Sequence, residues 1–216
     1  MAAQSDNSTK KNSKNLSLHT AEGVIVDIGM GDGRFVYRSA QENPNKFFIG
    51  IDANTKPLEK ISMKATRKLA KGGLLNVLFV QAAVENLPEE LNETADEIHI
   101  HFPWGSLLRA VVMADENVLN SLRRICAPEC LIKIVIGIDA ERDKSEIERL
   151  GLPRLSSEYL EEVLIPKYRT AGFEILKSGT LNSSKWSKLE TSWARKLQGG
   201  ANRKVVYFIL QASTPR

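Results

Sequence analysis

The stretch Val24-Ile25-Val26-Asp27-Ile28-Gly29-Met30-Gly31-Asp32-Gly33-Arg34-Phe35 decides the fold of this chain. Its apolar, β-branched first half predicts a buried strand, and an amphipathic pattern typical of a helix begins after Gly33. Three glycines at alternate positions strip the turn of side chains, so that a ligand can contact its backbone. About twenty residues later a second apolar run, Phe47–Ile51, ends in Asp52, where an acid can accept both hydroxyls of a ribose. The unit predicts an α/β fold that binds a nucleoside-containing cofactor.

The spacing of the glycines favours S-adenosylmethionine over a dinucleotide. In the dinucleotide fingerprint Gly-x-Gly-x-x-Gly, the helix N-terminus receives a pyrophosphate. Here Gly29, Gly31 and Gly33 are spaced one residue more tightly, and Asp27 and Asp32 stand among them. Two carboxylates would repel a pyrophosphate but attract the ammonium and sulfonium groups of S-adenosylmethionine. An NAD site and a glycine-rich turn that binds nothing are the alternatives.

Length and composition predict one soluble domain. A chain of 216 residues with 42% hydrophobic content can build one sizeable core, and a second core would be cramped. Residues 1–20 are polar and predict a mobile tail, so residues 21–216 form the predicted domain, with insertions at about 139–172 and 179–203. No apolar run reaches the length of a membrane span, and the two cysteines give no disulfide framework. We therefore expect a cytoplasmic protein; its expected state is a monomer.

Apolar runs alternate with helical patterns along the rest of the chain. Helices are predicted at 34–43 and 55–71, and five further strands at 77–81, 97–101, 131–138, 173–177 and 205–211. Near-continuous apolar strands separated by helices predict a mostly parallel sheet covered on both faces. Seven strands, with helices between the first five, resemble the sheet of class I S-adenosylmethionine-dependent methyltransferases.

The loops after strands three and four carry further candidate site residues, because ligands of parallel sheets bind beyond the carboxyl ends of the strands. Ala83 is small enough for an adenine ring to lie against, and Glu85 can meet the exocyclic amine; a helix N-terminal acid is the alternative role for Glu85. Phe102-Pro103-Trp104-Gly105 offers a proline carbonyl and a large aromatic, which suit a stacking platform, with a core tryptophan as the alternative. His99 and His101 share a strand face, but no third ligand has metal spacing, and no metal site is predicted.

Together with Thr191-Ser192-Trp193-Ala194-Arg195-Lys196, the motif at 102–105 resembles the aminoglycoside-resistance 16S rRNA methyltransferases of the kanamycin–apramycin type. Those enzymes methylate N1 of the decoding-site adenine (position 1408) in the 30S subunit and hold the flipped base between two tryptophans. The resemblance implies the same reaction here, with Trp104 and Trp193 as the stacking pair. It assigns cofactor contacts to the glycine turn and to the acids and loops around it: Asp27, Gly29, Gly31, Gly33, Asp52, Ala83, Glu85, Pro103 and Thr191.

Two basic segments agree with an RNA partner. The net charge of +4 is modest, but cations cluster at 56–71 and at 185–204, where each cluster contains a single acid. Such clusters neutralise phosphates and release counterions, although a solvated helix face is the alternative for each cluster alone. The candidate RNA-binding residues are Lys64, Arg67, Lys68, Lys71, Arg195, Lys196, Arg203 and Lys204. A tRNA (guanine-N7) methyltransferase or another RNA methyltransferase of the same fold, and a cofactor-binding protein without activity, are the competing functions.

Overall fold

The computed structural model describes residue 18, residues 20–181 and residues 205–213. Within them lies one seven-stranded sheet of order β3-β2-β1-β4-β5-β7-β6. The first five strands are parallel, and β7 runs antiparallel to both β5 and β6. This architecture confirms the predicted fold class. The strands are β1 (Val24–Ile28), β2 (Phe47–Asp52), β3 (Val77–Gln81), β4 (Ala95–His101), β5 (Cys126–Ile136), β6 (Phe173–Leu181) and β7 (Val205–Ala212).

Helices cover both faces of the sheet. The described helices are α1 (Arg34–Glu42), α2 (Glu59–Ala65), α3 (Gly105–Met113), α4 (Glu116–Ile125), α5 (Lys144–Leu150), α6 (Ser157–Tyr159) and α7 (Ile165–Thr170), with a π-helical turn at Leu160–Leu164 between the last two. The main hydrophobic cluster joins the sheet to α3 and α4, and includes Ile98 and Ile100 of β4, which are fully buried. A smaller cluster packs Val36 of α1 against Ile25 and Phe48 of β1 and β2. Burial of these apolar faces fixes the carboxyl ends of β1, β2 and β4 side by side.

The prediction of one long helix over 55–71 is wrong. Two short 3₁₀ turns, Lys56–Leu58 and Leu69–Lys71, flank α2, which ends at Ala65. The chain then folds back, because the Leu74 N–H donates to the Ala65 carbonyl at 2.9 Å. A Cβ on Gly73 would lie 1.7 Å from the Arg67 carbonyl oxygen, so only glycine permits this approach. Good helix formers fill the segment, but the reversal at Gly73 prevails over their propensity.

Other boundaries differ locally. The segment between β3 and β4, all of it described, holds only the 3₁₀ turns Val84–Asn86 and Glu89–Leu91, whereas a helix was expected there. Strand β5 runs from Cys126 to Ile136, whereas 131–138 was predicted. Its earlier start includes Glu129, whose φ is +62°, at an irregularity in the pairing with β4. Strand β6 also runs further than predicted, to Leu181.

Part of the predicted organisation lies outside the described residues. This holds for the N-terminal tail, apart from residues 18 and 20, and for residues 182–203 of the second predicted insertion. The first predicted insertion, at 139–172, contains α5, α6 and α7. The division into a tail and one domain stays a prediction, as does the monomeric state. In the part of the chain that the structure covers, none of the helices is sufficiently long and apolar to cross a membrane.

Candidate functional site

A cavity of about 280 Å³ opens at the carboxyl ends of β1, β2 and β4. Most of the residues predicted for the cofactor site from the sequence line it. They are Gly29 and Gly31 after β1, Asp52 at the end of β2, Ala83 and Glu85 after β3, and Pro103 after β4. Trp104, which was predicted to stack on the base, lines the same cavity. The fold therefore brings together side chains and backbone from four separate loops, as expected for a ligand site of a parallel sheet.

The glycine turn is held by backbone hydrogen bonds to the neighbouring strand. The N–H groups of Gly29 and Met30 donate to the Ile51 carbonyl at 2.8 and 3.2 Å. A Cβ on Gly31 would meet nothing within 4 Å, so open space lies beside this backbone. Gly33 has a different place. It precedes α1 and does not line the cavity, and a Cβ there would lie 2.5 Å from Leu58 Cδ1. Close packing and the positive φ of +69° require glycine at this position.

Asp52 is anchored by both of its carboxylate oxygens. Oδ2 accepts the N–H of Gly31 at 2.9 Å, and Oδ1 accepts the N–H of Asn54 at 2.8 Å. A carboxylate oxygen can accept more than one hydrogen bond, so each keeps capacity for a ligand hydroxyl. The side chain is thus oriented before any ligand binds.

Asp27 is the last residue but one of β1, is only 5% exposed and does not line the cavity. Burial, and then the nearby charge of Asp52, raise the pKa of the Asp27 carboxyl well above its ordinary value. A cation placed close to these two acids would favour the charged form of Asp27.

The Pro103–Trp104 loop has an unusual backbone at both ends. Phe102 is buried and has a φ of +50°, and its N–H donates to the Val135 carbonyl at 2.7 Å. Gly105 on the other side has a φ of +60°. Trp104 between them is 40% exposed, which contradicts the alternative of a core tryptophan. A large aromatic face is presented at the cavity instead.

The end of α3 that is remote from Trp104 is tied to the segment between β5 and β6. The hydroxyls of Tyr168 and Tyr159 donate to the carbonyls of Val111 and Val112 at 3.1 and 3.0 Å. Lys167 Nζ donates to the Met113 carbonyl at 3.2 Å. Further along the helix, Arg109 Nε donates to the Leu150 carbonyl at 3.2 Å. The bonds from Tyr168, Tyr159 and Lys167 thus give side-chain donors to three carbonyls of the last turn of α3.

The two histidines of β4 form an aromatic cluster with α1. Their ring centroids lie 4.8 Å apart, and Phe35 packs against both rings. Burial, and then the charges of His99 and Lys133, lower the pKa of His101 well below its ordinary value. Burial opposes ionisation of Glu97, but hydrogen bonds from His99 and Lys133 prevail and lower its pKa to about 2. Among the described residues, no group of three or more His, Cys, Asp or Glu side chains is arranged to hold a metal ion.

The first basic segment forms an exposed surface on the loop between β2 and β3. Arg67, Lys68 and Lys71 are exposed, and Lys64 Nζ lies 4.6 Å from the centroid of the Tyr37 ring. Because the helix is broken at Ala65, these cations lie on a helix end, a turn and a 3₁₀ turn rather than on one helical stripe. The remaining predicted site residues lie outside the described residues: Thr191, Trp193, Arg195, Lys196, Arg203 and Lys204.

A comparison with protein families decides between the candidate enzyme classes. The family model NpmA, described as 16S rRNA (adenine(1408)-N(1))-methyltransferase, matches residues 6–212. The chain belongs to this family. The predictions of the family and of the enzyme class are thereby confirmed. The alternative of a glycine-rich turn without a ligand is excluded.

Individual members of the family are similar over most of their length. The 16S rRNA (adenine(1408)-N(1))-methyltransferase of Escherichia coli is 38% identical over 181 residues, 83% of each chain. The crystal structure of the aminoglycoside resistance methyltransferase NpmB1 is 44% identical, with a TM-score of 0.78 over 90% of this chain and 89% of that chain. The family enzyme from Catenulisporales acidiphilia, crystallised as a tryptophan-to-alanine variant with cosubstrate SAM, is 32% identical, with a TM-score of 0.83 over 92% of this chain and 89% of that chain.

Some residues that line the cavity of this family member were missed from the sequence. Phe102, Ser106 and Leu107 flank or follow Trp104, and Val84 separates Ala83 from Glu85. Their apolar or small side chains carry no chemical signal of their own. Their position next to predicted site residues is the one feature of the sequence that could have indicated them.

Proposed function

We propose that this protein transfers a methyl group from S-adenosylmethionine to N1 of adenine 1408 of 16S rRNA in the 30S subunit, and so confers aminoglycoside resistance. One observation carries the proposal: in a member of the A1408 methyltransferase family, one cavity joins the glycine turn and Asp52 to the exposed ring of Trp104. A nucleoside cofactor and a second flat base could thus be held side by side.

The residues at the cavity suit S-adenosylmethionine. The anchored carboxylate of Asp52 would accept the ribose hydroxyls, and the buried Asp27 favours a cationic group near the turn. Ala83 leaves room for the adenine ring, and Glu85, two residues further along the chain, also lines the cavity. An NAD pyrophosphate would instead meet the repulsion of two carboxylates.

The acceptor needs positioning rather than deprotonation. N1 of a neutral adenine already has an in-plane lone pair, and in a duplex it is paired, so the nucleotide must be extruded. Bound S-adenosylmethionine supplies the methyl group, whose bond to sulfur breaks as the bond to N1 forms. Trp104 would stack on one face of the base, and Trp193 is predicted to stack on the other. Facing indole rings would also favour the positive charge that develops on the product base.

The basic surface between β2 and β3 would hold the RNA near the cavity. Arg67, Lys68 and Lys71 are exposed there and are free of acidic neighbours in sequence. Contacts with phosphates through such residues give an affinity that falls steeply with salt concentration. The second basic segment, at 185–204, is predicted to act in the same way.

Primer extension on 30S subunits tests the proposal. Subunits incubated with the protein and S-adenosylmethionine should give a strong stop next to adenine 1408, whereas subunits in which this base is guanine should give none. Bulk tRNA is the control substrate. Methylation of tRNA guanine with no stop on the 30S subunit would contradict the proposal and support the competing RNA methyltransferase.

A further inference from the structure

Tyr37 of α1 is buried, and its hydroxyl contacts the loop between β2 and β3. The residue is only 2% exposed, and the hydroxyl donates to the Gly72 carbonyl at 2.6 Å. A buried tyrosine hydroxyl needs a hydrogen-bond partner, and this one finds it 35 residues further along the chain. The bond therefore joins α1 to the basic surface.

Gly72 is the point at which the loop begins to reverse. It ends the 3₁₀ turn Leu69–Lys71, has a φ of +86°, and its N–H donates to the Leu69 carbonyl at 3.0 Å. A Cβ on Gly72 would lie 3.0 Å from the Tyr37 hydroxyl oxygen. The next residue is Gly73, where the chain folds back. Tyr37 thus contacts the loop at the start of its reversal.

The turn that Tyr37 contacts carries two exposed cations, Lys68 and Lys71. The two residues are joined through the backbone, because the Lys71 N–H donates to the Lys68 carbonyl at 2.7 Å. A third cation, Lys64, lies over the ring of Tyr37, with its Nζ 4.6 Å from the ring centroid. Residues 60–84 contain no acid, so the charge of this surface is uncompensated within its own segment.

The other end of the connection is the turn that lines the cavity. The Tyr37 N–H donates to the Gly33 carbonyl at 2.9 Å, so Tyr37 lies one helical turn after Gly33. Gly33 directly follows the part of the turn whose Gly29 and Gly31 line the cavity. Val36, next to Tyr37, packs into the smaller hydrophobic cluster and fixes α1 on the sheet. Tyr37 therefore connects a rigid part of the site to the basic loop.

We infer that Tyr37 is a positioning residue for the RNA: its hydroxyl holds the turn that carries Lys68 and Lys71 at a fixed place relative to the cavity. The inference rests on the proposed function, in which this surface contacts phosphates of 16S rRNA. A 3₁₀ turn of three residues is weak by itself, and cations on a loose turn must be ordered when RNA binds. The bond from Tyr37 reduces that cost before the RNA arrives.

Two tyrosine variants separate positioning from general stability. Tyr37→Phe removes the hydroxyl but keeps the ring beneath Lys64. Tyr168→Phe is the matched control, because Tyr168 is 3% exposed and its hydroxyl also donates to a backbone carbonyl, that of Val111, at 3.1 Å. Tyr168 lies between β5 and β6, in the opposite half of the sheet. Lys68→Ala is made in the wild type and in Tyr37→Phe.

Four quantities are measured on each protein: amide hydrogen exchange, kcat and KM for methylation of 30S subunits, affinity for S-adenosylmethionine, and affinity for 30S subunits at several salt concentrations. In Tyr37→Phe the amides of Gly72 and Gly73 should exchange about fivefold faster, because one neutral hydrogen bond is lost. The KM for 30S subunits should rise by about fivefold, while kcat and the affinity for S-adenosylmethionine stay within about twofold.

The salt dependence and the double variant report on the cations themselves. Tyr37→Phe should lower the slope of log affinity against log salt, because phosphate contacts are made less completely. Lys68→Ala should cost less affinity in Tyr37→Phe than in the wild type, since a misplaced cation contributes less. Tyr168→Phe should keep the wild-type KM and salt slope, although it also loses a buried hydrogen bond.

Three results would overturn the inference: a wild-type KM and salt slope in Tyr37→Phe, an equal rise of KM in Tyr168→Phe, or full additivity of Tyr37→Phe and Lys68→Ala. Failure of the proposed function looks different. In that case the wild-type protein itself leaves N1 of adenine 1408 unmodified, whereas failure of the inference alone leaves the wild type and Tyr37→Phe equally active on 30S subunits.

Discussion

The backbone N–H of Gly31 donates to Oδ2 of Asp52 at 2.9 Å, and this bond ties the turn after β1 to the end of β2. Two more bonds, from Gly29 and Met30 to the Ile51 carbonyl, join the same two strands. The cofactor half of the site is therefore formed before a ligand arrives. Preorganisation of this kind lowers the ordering cost of binding.

The first prediction concerns this bond. Asp52→Ala should weaken binding of S-adenosylmethionine by roughly 10- to 100-fold, because it removes hydrogen bonds to a charged group, each worth about 1.5–3 kcal/mol. Titration calorimetry measures the change. Asp32→Asn is the control, because Asp32 pairs with Arg34 and does not line the cavity. An equal loss in both variants would mean that the general acidity of the turn, rather than the Asp52 contact, sets the affinity.

Asp27 should make the protein without cofactor sensitive to pH. Because its pKa is raised in the folded state, the unfolded chain releases the proton first, and stability declines as pH rises from the ordinary aspartate range towards the raised pKa. Asp27→Asn should therefore raise the Tm at neutral pH, by roughly 2–4 °C per kcal/mol gained, while it weakens cofactor binding. Scanning calorimetry and titration calorimetry test the two effects. A lower Tm in Asp27→Asn would show that the ionised carboxylate is stabilising.

Trp104→Ala should reduce methylation of 30S subunits by about 10- to 100-fold and leave the affinity for S-adenosylmethionine nearly unchanged. The lost stacking is worth about 1–3 kcal/mol per base. The same result is expected for Trp193→Ala. Trp104→Phe, which keeps a smaller aromatic face, should retain intermediate activity. A near wild-type rate in Trp104→Ala would exclude stacking as the means of holding the base.

The glycine turn and the strands around it were predictable because their signals are local. Strand β1 is apolar and β-branched throughout, and the turn follows it directly, so Gly29, Gly31 and Asp52 could be placed at one sheet edge. The interrupted helix after β2 was not predictable in this way. Its side chains favour a helix, and the reversal depends on the contact between Gly73 and the Arg67 carbonyl.

The rest of the site depends on contacts between distant segments. Phe102 lines the cavity where its N–H is bonded to the Val135 carbonyl, and Ser106 and Leu107 line it because α3 begins at Gly105. Gly33 was predicted to contact the cofactor, but it does not line the cavity and packs closely against Leu58 instead.

Lys68→Ala should weaken the binding of 30S subunits and lower the slope of log affinity against log salt by about one, because one phosphate contact is lost. Binding measured at several salt concentrations gives the slope. Lys46→Ala is the matched control. Lys46 is also exposed but precedes β2, at the amino ends of the strands and away from the cavity. Equal slopes for Lys68→Ala and the wild type would place Lys68 outside the RNA interface.

His101 should make the folded protein less stable in mild acid. Its pKa is lowered by burial, so below the ordinary histidine pKa of about 6.5 the unfolded chain takes up a proton that the folded protein does not. Stability is therefore lost as pH falls through this range. His101→Phe should show a smaller loss of unfolding free energy between about pH 7 and about pH 5 in urea titrations. An unchanged loss would assign the acid sensitivity to another group.

The fold-back at Gly73 bears on the proposed RNA-binding surface. Gly73 has no charge itself, but its close approach to the Arg67 carbonyl lies within the segment that carries Lys64, Arg67, Lys68 and Lys71. A substitution as small as Gly73→Ala would displace the whole loop and misalign every cation on it at once. Under the proposed function, drug susceptibility would then return although the net charge of the enzyme is unchanged.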